Sequence, residues 1–64
     1  MESFTPELKR LLLASGCFFV RAGKGDHEIW QSPLTQAHFV VDGKIKSRHT
    51  ANAVLKQAGL PKGF

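Results

Sequence analysis

The chain has a single cysteine, Cys17, a single tryptophan and no tyrosine, and no apolar run approaches the roughly 20 residues that span a bilayer. One thiol closes no internal disulfide and makes no thiolate metal cluster alone. That excludes a stapled secreted scaffold and fits a reducing cytoplasm. The N-terminal residues lack a signal-peptide core, so the chain is expected to be cytoplasmic, soluble and free of membrane contact. Length is also short: 64 residues make one domain, 1–64, which buries only roughly 60% of the surface its unfolded form exposes. There is no room for a nucleotide-binding βαβ domain, a barrel or a pocket between two lobes. Function is therefore expected on the surface or at the end of an element. Acids are scarce, five against nine Lys and Arg, and the resulting charge of +4 points to an anionic partner wherever the cations cluster. The apolar share of 42% is that of a globular domain and excludes wholesale disorder.

Local signals divide the chain into five elements. Thr5-Pro6-Glu7 supplies a capping hydroxyl, a proline for the first helical position and an acid that complements the helix dipole. Leu8, Leu11, Leu12 and Ser15 share a helical stripe with Lys9 and Arg10 turned away, and Gly16 supplies the left-handed stop. A helix is predicted over 6–15. Cys17 to Arg21 reads as a strand, Ala22 to Asp26 as a glycine turn, His27 to Gln31 as a second strand and Gln36 or Ala37 to Val41 as a third, ending at Asp42-Gly43. Ser47 caps a last helix whose Ala51, Val54, Leu55 and Ala58 lie on one face, with Gly59 and Pro61 ending it. The predicted fold is α+β, in the order α-β-β-β-α: a three-stranded antiparallel sheet with both helices on one face, like a double-stranded-RNA-binding domain.

Pairing Arg21 with His27 and Gln31 with Ala37 would set Phe19 opposite Ile29 and Ile29 opposite Phe39. Strand alternation then gives a core face of Cys17, Phe19, Ile29, Ala37, Phe39 and Val41. Phe18, Val20, Trp30 and Val40 fall on the other face, too apolar for open solvent, which marks an expected partner surface. Trp30 and Phe18 are also of a kind that stacks on RNA bases, but packing or interface is the commoner use of sheet-face aromatics.

Lys44, Lys46, Arg48 and His49 crowd the start of the last helix, where cations oppose the macrodipole by about 0.3–1 kcal/mol each. With Lys24 and Arg21 beside the first turn, they read as phosphate-binding groups around a helix N-terminus. Gly23-Lys24-Gly25-Asp26-His27 lacks the spacing of a phosphate loop and opens no helix. It leaves a histidine at a strand end, fit for proton transfer near neutrality or for an ordinary surface role. Alternation turns Asp26 and Glu28 off the face of His27. His27, His38 and His49 have no metal-site spacing, so no metal and no cofactor are expected. Cys17 reads as a buried thiol.

Glu7-Leu8-Lys9-Arg10-Leu11-Leu12, Gly16 to Arg21, Gly25-Asp26-His27-Glu28-Ile29-Trp30 and Val54 to Leu60 together resemble the HicA family of bacterial toxins. The resemblance covers nearly the whole chain. It implies a metal-independent endoribonuclease that cleaves single-stranded mRNA and is neutralised by a HicB-type antitoxin. The family's Gly-Ser-His block places its catalytic histidine on His27 and its glycine on Gly25. Asp26 stands where the family has serine, Glu28 where a second histidine is common, and Val41-Asp42-Gly43-Lys44 where a Pro-Arg-His-like segment is usual. The antitoxin is expected on Phe18, Val20, Trp30 and Val40, and RNA phosphates on Lys24, Lys44, Lys46, Arg48 and His49. A non-catalytic RNA-binding module of the same fold is the alternative.

Overall fold

The computed structural model describes residues 3–64. It contains α1 (Thr5–Ala14), β1 (Phe18–Ala22), β2 (Glu28–Gln31), β3 (His38–Val41) and α2 (Arg48–Gln57). The strands form one antiparallel sheet in the order β1-β2-β3, so the α+β class and the element order are as expected. Leu8 and Leu12 of α1 and Ala51, Val54 and Leu55 of α2 join Trp30, Phe39 and Val41 of the sheet in one buried core. Cys17 is buried there too, as a free thiol. Ile45, from the connection between β3 and α2, completes that cluster at 2% exposure.

Both helices end as their glycines predict. The amides of Gly16 and Cys17 donate to the carbonyls of Leu13 and Leu12, and those of Gly59 and Leu60 to Lys56 and Leu55. Each is a paired 5→2 and 6→1 closure around a glycine of positive φ. The helix starts differ from one another. Ser47 caps α2 by accepting from the His49 amide at 3.2 Å. At α1, Phe4 is the capping residue and Thr5 is the first helical one. The Thr5 hydroxyl has long-range partners instead: it donates to the Asp42 carbonyl and accepts from the Ile45 amide, both at 2.9 Å. A hydroxyl this deeply buried gains more from two partners across the fold than from one in its own turn.

The strand register is one step away from the expected one. Trp30 pairs with Phe39, Glu28 with Val41 and Ile29 with Val40, and a bulge between Phe19 and Arg21 absorbs the mismatch with β1. The turns are shorter than the sequence signals imply: Gly23 already pairs with His27 (N to O, 2.8 Å), and Ser32 with Ala37 (3.1 Å). A slip of one residue exchanges the faces. Trp30 therefore lies in the core at 4% exposure, while Phe19 is 50% exposed and Ile29 and Ala37 are only half-buried. Cys17, Phe39 and Val41 keep their expected burial.

The indole explains why this register is tolerable. Its N–H donates to Glu28 Oε1 at 2.9 Å, and the same oxygen meets Lys9 Nζ at 3.1 Å. Lys9 is thus turned toward the sheet and not away from it. Helices cover one face only, leaving Phe18, Val20 and Val40 in solvent on the sheet's open side and edge.

Candidate functional site

Antiparallel pairing brings the end of β1, the beginning of β2 and the end of β3 to one end of the sheet, and both helices begin there. Thr5 stitches the first turn of α1 to the loop after β3, and the Phe4 amide adds a 2.7 Å bond to the Ile45 carbonyl. Beside it the β1–β2 loop closes tightly, with the His27 amide on the Lys24 carbonyl at 3.1 Å. Gly25 takes φ +64° within that turn, a conformation that L side chains rarely adopt.

His27 is the last residue before β2, and the register sets it across from Asp42 instead of Val41. Its Nε2 is 3.7 Å from Asp42 Oδ2, and the two side chains are each 45% exposed. That separation is a contact between charges when the imidazole is protonated, and too long for a hydrogen bond. Asp42 is itself held from two sides: its Oδ1 accepts from the Lys44 amide at 3.0 Å and its carbonyl from Thr5.

Asp26 also belongs to the cluster, contrary to the alternation argument. Ligand atoms of Asp26, His27 and Asp42 all lie within 4.8 Å of one another. Asp26 sits over Gly43, where an added Cβ would come within 2.7 Å of its Oδ2, so the close approach of the two loops requires that glycine. One imidazole and two carboxylates form a donor set of the right size for a cation, but exposed groups of this kind commonly stand without one. His38 and His49 take no part in it. Glu28 points to the helix-covered face, where the Trp30 N–H and then Lys9 hold its carboxyl below the ordinary carboxylate range.

The cations gather around the same end. Lys24 is exposed in the β1–β2 loop, Lys44 and Lys46 in the loop after β3, and Arg48 and His49 in the first turn of α2. That turn has no acid. The surface faces of the remaining sequence candidates divide. Phe18, Val20 and Val40 are 46%, 39% and 46% exposed, whereas Trp30 is buried and presents nothing to a partner.

Asp42 and Thr5 were missed as site residues, since the sequence offered Asp42 as part of the segment after the third strand and Thr5 as a helix cap. The available signal was its place one residue beyond β3, which a correct register would have set beside His27.

A sequence-family model described as the HicA toxin of bacterial toxin–antitoxin matches residues 5–60, from the first turn of α1 to the residue closing α2. No curated protein and no solved structure matches the chain. Among the described residues, no helix is long and apolar enough to cross a membrane.

Proposed function

The chain belongs to the HicA toxin family, and from that premise we propose that it is a metal-independent endoribonuclease that cleaves single-stranded mRNA through His27 and is neutralised by a HicB-type antitoxin. The observation carrying this reading is the half-exposed His27, set between two loops with its Nε2 toward the anchored Asp42 carboxylate. A base must be reachable by the proton it takes, and it works best when its protonated form is stabilised. With Nε2 facing Asp42, Nδ1 is left to receive the proton of a ribose 2′-hydroxyl. That oxygen attacks the adjacent phosphorus, the bond to the 5′-oxygen breaks, and a cyclic phosphate and a 5′-hydroxyl result. His49 or water returns a proton to the leaving oxygen. Asp42 stabilises the imidazolium, and Lys24, Lys44, Lys46 and Arg48 hold the phosphate. Gly25 keeps the turn tight enough to present His27.

The antitoxin is assigned to the open side of the sheet, through Phe18, Val20 and Val40. These exposed apolar groups are what a protein partner would cover.

Asp26 and Asp42 favour a second reading, since carboxylates this close to His27 keep a scissile phosphate off the imidazole, while phosphates elsewhere on this end are held by Lys44, Lys46 and Arg48. In that reading the same end grips RNA without cutting it, by phosphate and 2′-hydroxyl contacts. Induced expression of His27→Ala separates the two. Growth arrest and RNA cleavage should disappear with the circular dichroism spectrum unchanged. Continued cleavage by the variant in EDTA would sink the catalytic assignment. Wild-type protein that binds RNA with steep salt dependence and never cuts it would establish the binding module.

A further inference from the structure

Along the outer side of α2 runs an open groove of about 520 Å³, lined by Arg48, His49, Asn52, Lys56, Lys62 and Phe64 among others. Arg48, Asn52 and Lys56 stand at i, i+4 and i+8 and so share one stripe of the helix. The chain after α2 makes the facing wall, and Asn52 fastens it. The side-chain oxygen of Asn52 accepts from the Gly63 and Phe64 amides at 3.2 and 3.1 Å, and its NH2 donates to the Phe64 carbonyl at 3.1 Å. The Phe64 ring stands edge-on to Phe4, with centroids 5.3 Å apart. Among the described residues, no Asp or Glu lines the groove, and α2 contains neither. Three cations and an imidazole therefore face one cleft with no acidic side chain among the described residues to neutralise them.

We propose that this groove is a second nucleic-acid subsite, holding single-stranded RNA several nucleotides away from the phosphodiester at His27, an inference that rests on the ribonuclease reading above. Arg48 and His49 open the groove directly after the loop bearing Lys44 and Lys46, so the cationic surface at the sheet end continues into it. The rise from Arg48 to Lys56 is about 12 Å, which spans several phosphates at roughly 3.4 Å per stacked nucleotide. Cations that track a backbone, beside an aromatic ring able to meet a base, grip a strand without regard to sequence. An acidic segment of a protein partner is the competing occupant. The strand is favoured because the charge follows one helix stripe and leads into the site where RNA would be cut.

The test is fluorescence anisotropy with a labelled 2′-O-methyl oligouridylate of about twelve nucleotides, which has no free 2′-hydroxyl to react. The probe is titrated against the full chain and two double variants. Lys56→Gln with Lys62→Gln should weaken binding about fivefold and lower the logarithmic salt slope by about 1.4. The melting temperature should stay unchanged, since both lysines are exposed. Lys44→Gln with Lys46→Gln should weaken the same probe independently. If only the second pair matters, the groove is overturned and the ribonuclease reading stands. If wild-type protein does not bind the probe, both fall together. If the first pair leaves RNA binding intact but weakens binding of the antitoxin, the groove belongs to a protein surface and the inference is wrong.

Discussion

At the end of the sheet where β2 begins, two helix N-termini meet His27, Asp42 and five exposed cationic or imidazole groups. At the opposite end, two helix C-termini are closed by Gly16 and Gly59, and the β2–β3 turn is bonded onto α2. There the Ser32 hydroxyl, fully buried, donates to the Ala58 carbonyl at 2.7 Å and accepts from the Leu34 amide at 3.1 Å. Thr35 reaches the Gln57 carbonyl at 3.3 Å. Gly59, at φ +81°, lies so close to Thr35 that a Cβ would come within 2.8 Å of its methyl group. Helix carbonyls are satisfied internally at one end, while charge is left facing water at the other. The difference teaches where this small domain keeps its stability and where it leaves chemistry exposed.

The largest way to break the comparison is at His27. His27→Ala should lower RNA cleavage by at least about a hundredfold while the melting temperature stays within error, because a half-exposed side chain contributes little to the fold. A drop in melting temperature matching the loss of activity would show that the two ends are not separable.

How much of this contrast was legible in the sequence depends on the range of the contacts. Pro6, Gly16, Ser47 and Gly59 act on their own turns, so both helices and their C-terminal stops could be read locally, whereas the cap of α1 could not. Lys44, Lys46, Arg48 and His49 are neighbours in sequence, so their clustering was visible as well. The register was not, because it depends on how tightly Gly23 to His27 and Ser32 to Ala37 close. Gln36 even accepts φ +63° in the second turn, which no local preference for a bulky polar residue announces. Trp30 then took the core position that alternation had given to Ile29. The roles of Thr5 and Asp42 were equally hidden, since their hydrogen bonds cross 37 and 40 residues of chain.

Thr5 joins stability to the exposed end, and its removal should show both consequences. Thr5→Val keeps the shape but leaves the Ile45 amide and the Asp42 carbonyl without partners, at a cost of about 2–3 kcal/mol. A fall of roughly 10 °C or more in melting temperature should accompany it in a domain this small. Cleavage by the folded fraction should fall as well, because Asp42 loses one of its two anchors. Unchanged specific activity would mean that the Lys44 amide alone holds Asp42.

Ser32 offers the converse. Ser32→Ala strands the Ala58 carbonyl and the Leu34 amide at the buried end, costing about 1–2 kcal/mol. Chemical denaturation should register this loss while specific cleavage activity remains that of the wild type. A change in activity at equal folded fraction would show that strain at the far end travels along α2 to the site.

The smallest effect is expected from Glu28, which opens β2 beside His27 but turns to the helix-covered face, where it ties the sheet to α1. Its folded carboxyl is held low, first by the Trp30 N–H and then by Lys9. A carboxylate depressed in the folded state stabilises the protein above its unfolded pKa, and that contribution is lost as the pH falls through the folded value. Stability should therefore be flat near neutrality and decline in the acid range below about 4.5. Glu28 and Lys9 are about a third exposed, so water screens the pair and the change is a modest one. Glu28→Gln keeps an acceptor for the indole and removes the charge. It should be less stable than wild type at neutral pH, and the gap should narrow in acid as Glu28 protonates. A constant gap at every pH would assign the loss to packing around Trp30, not to the carboxylate.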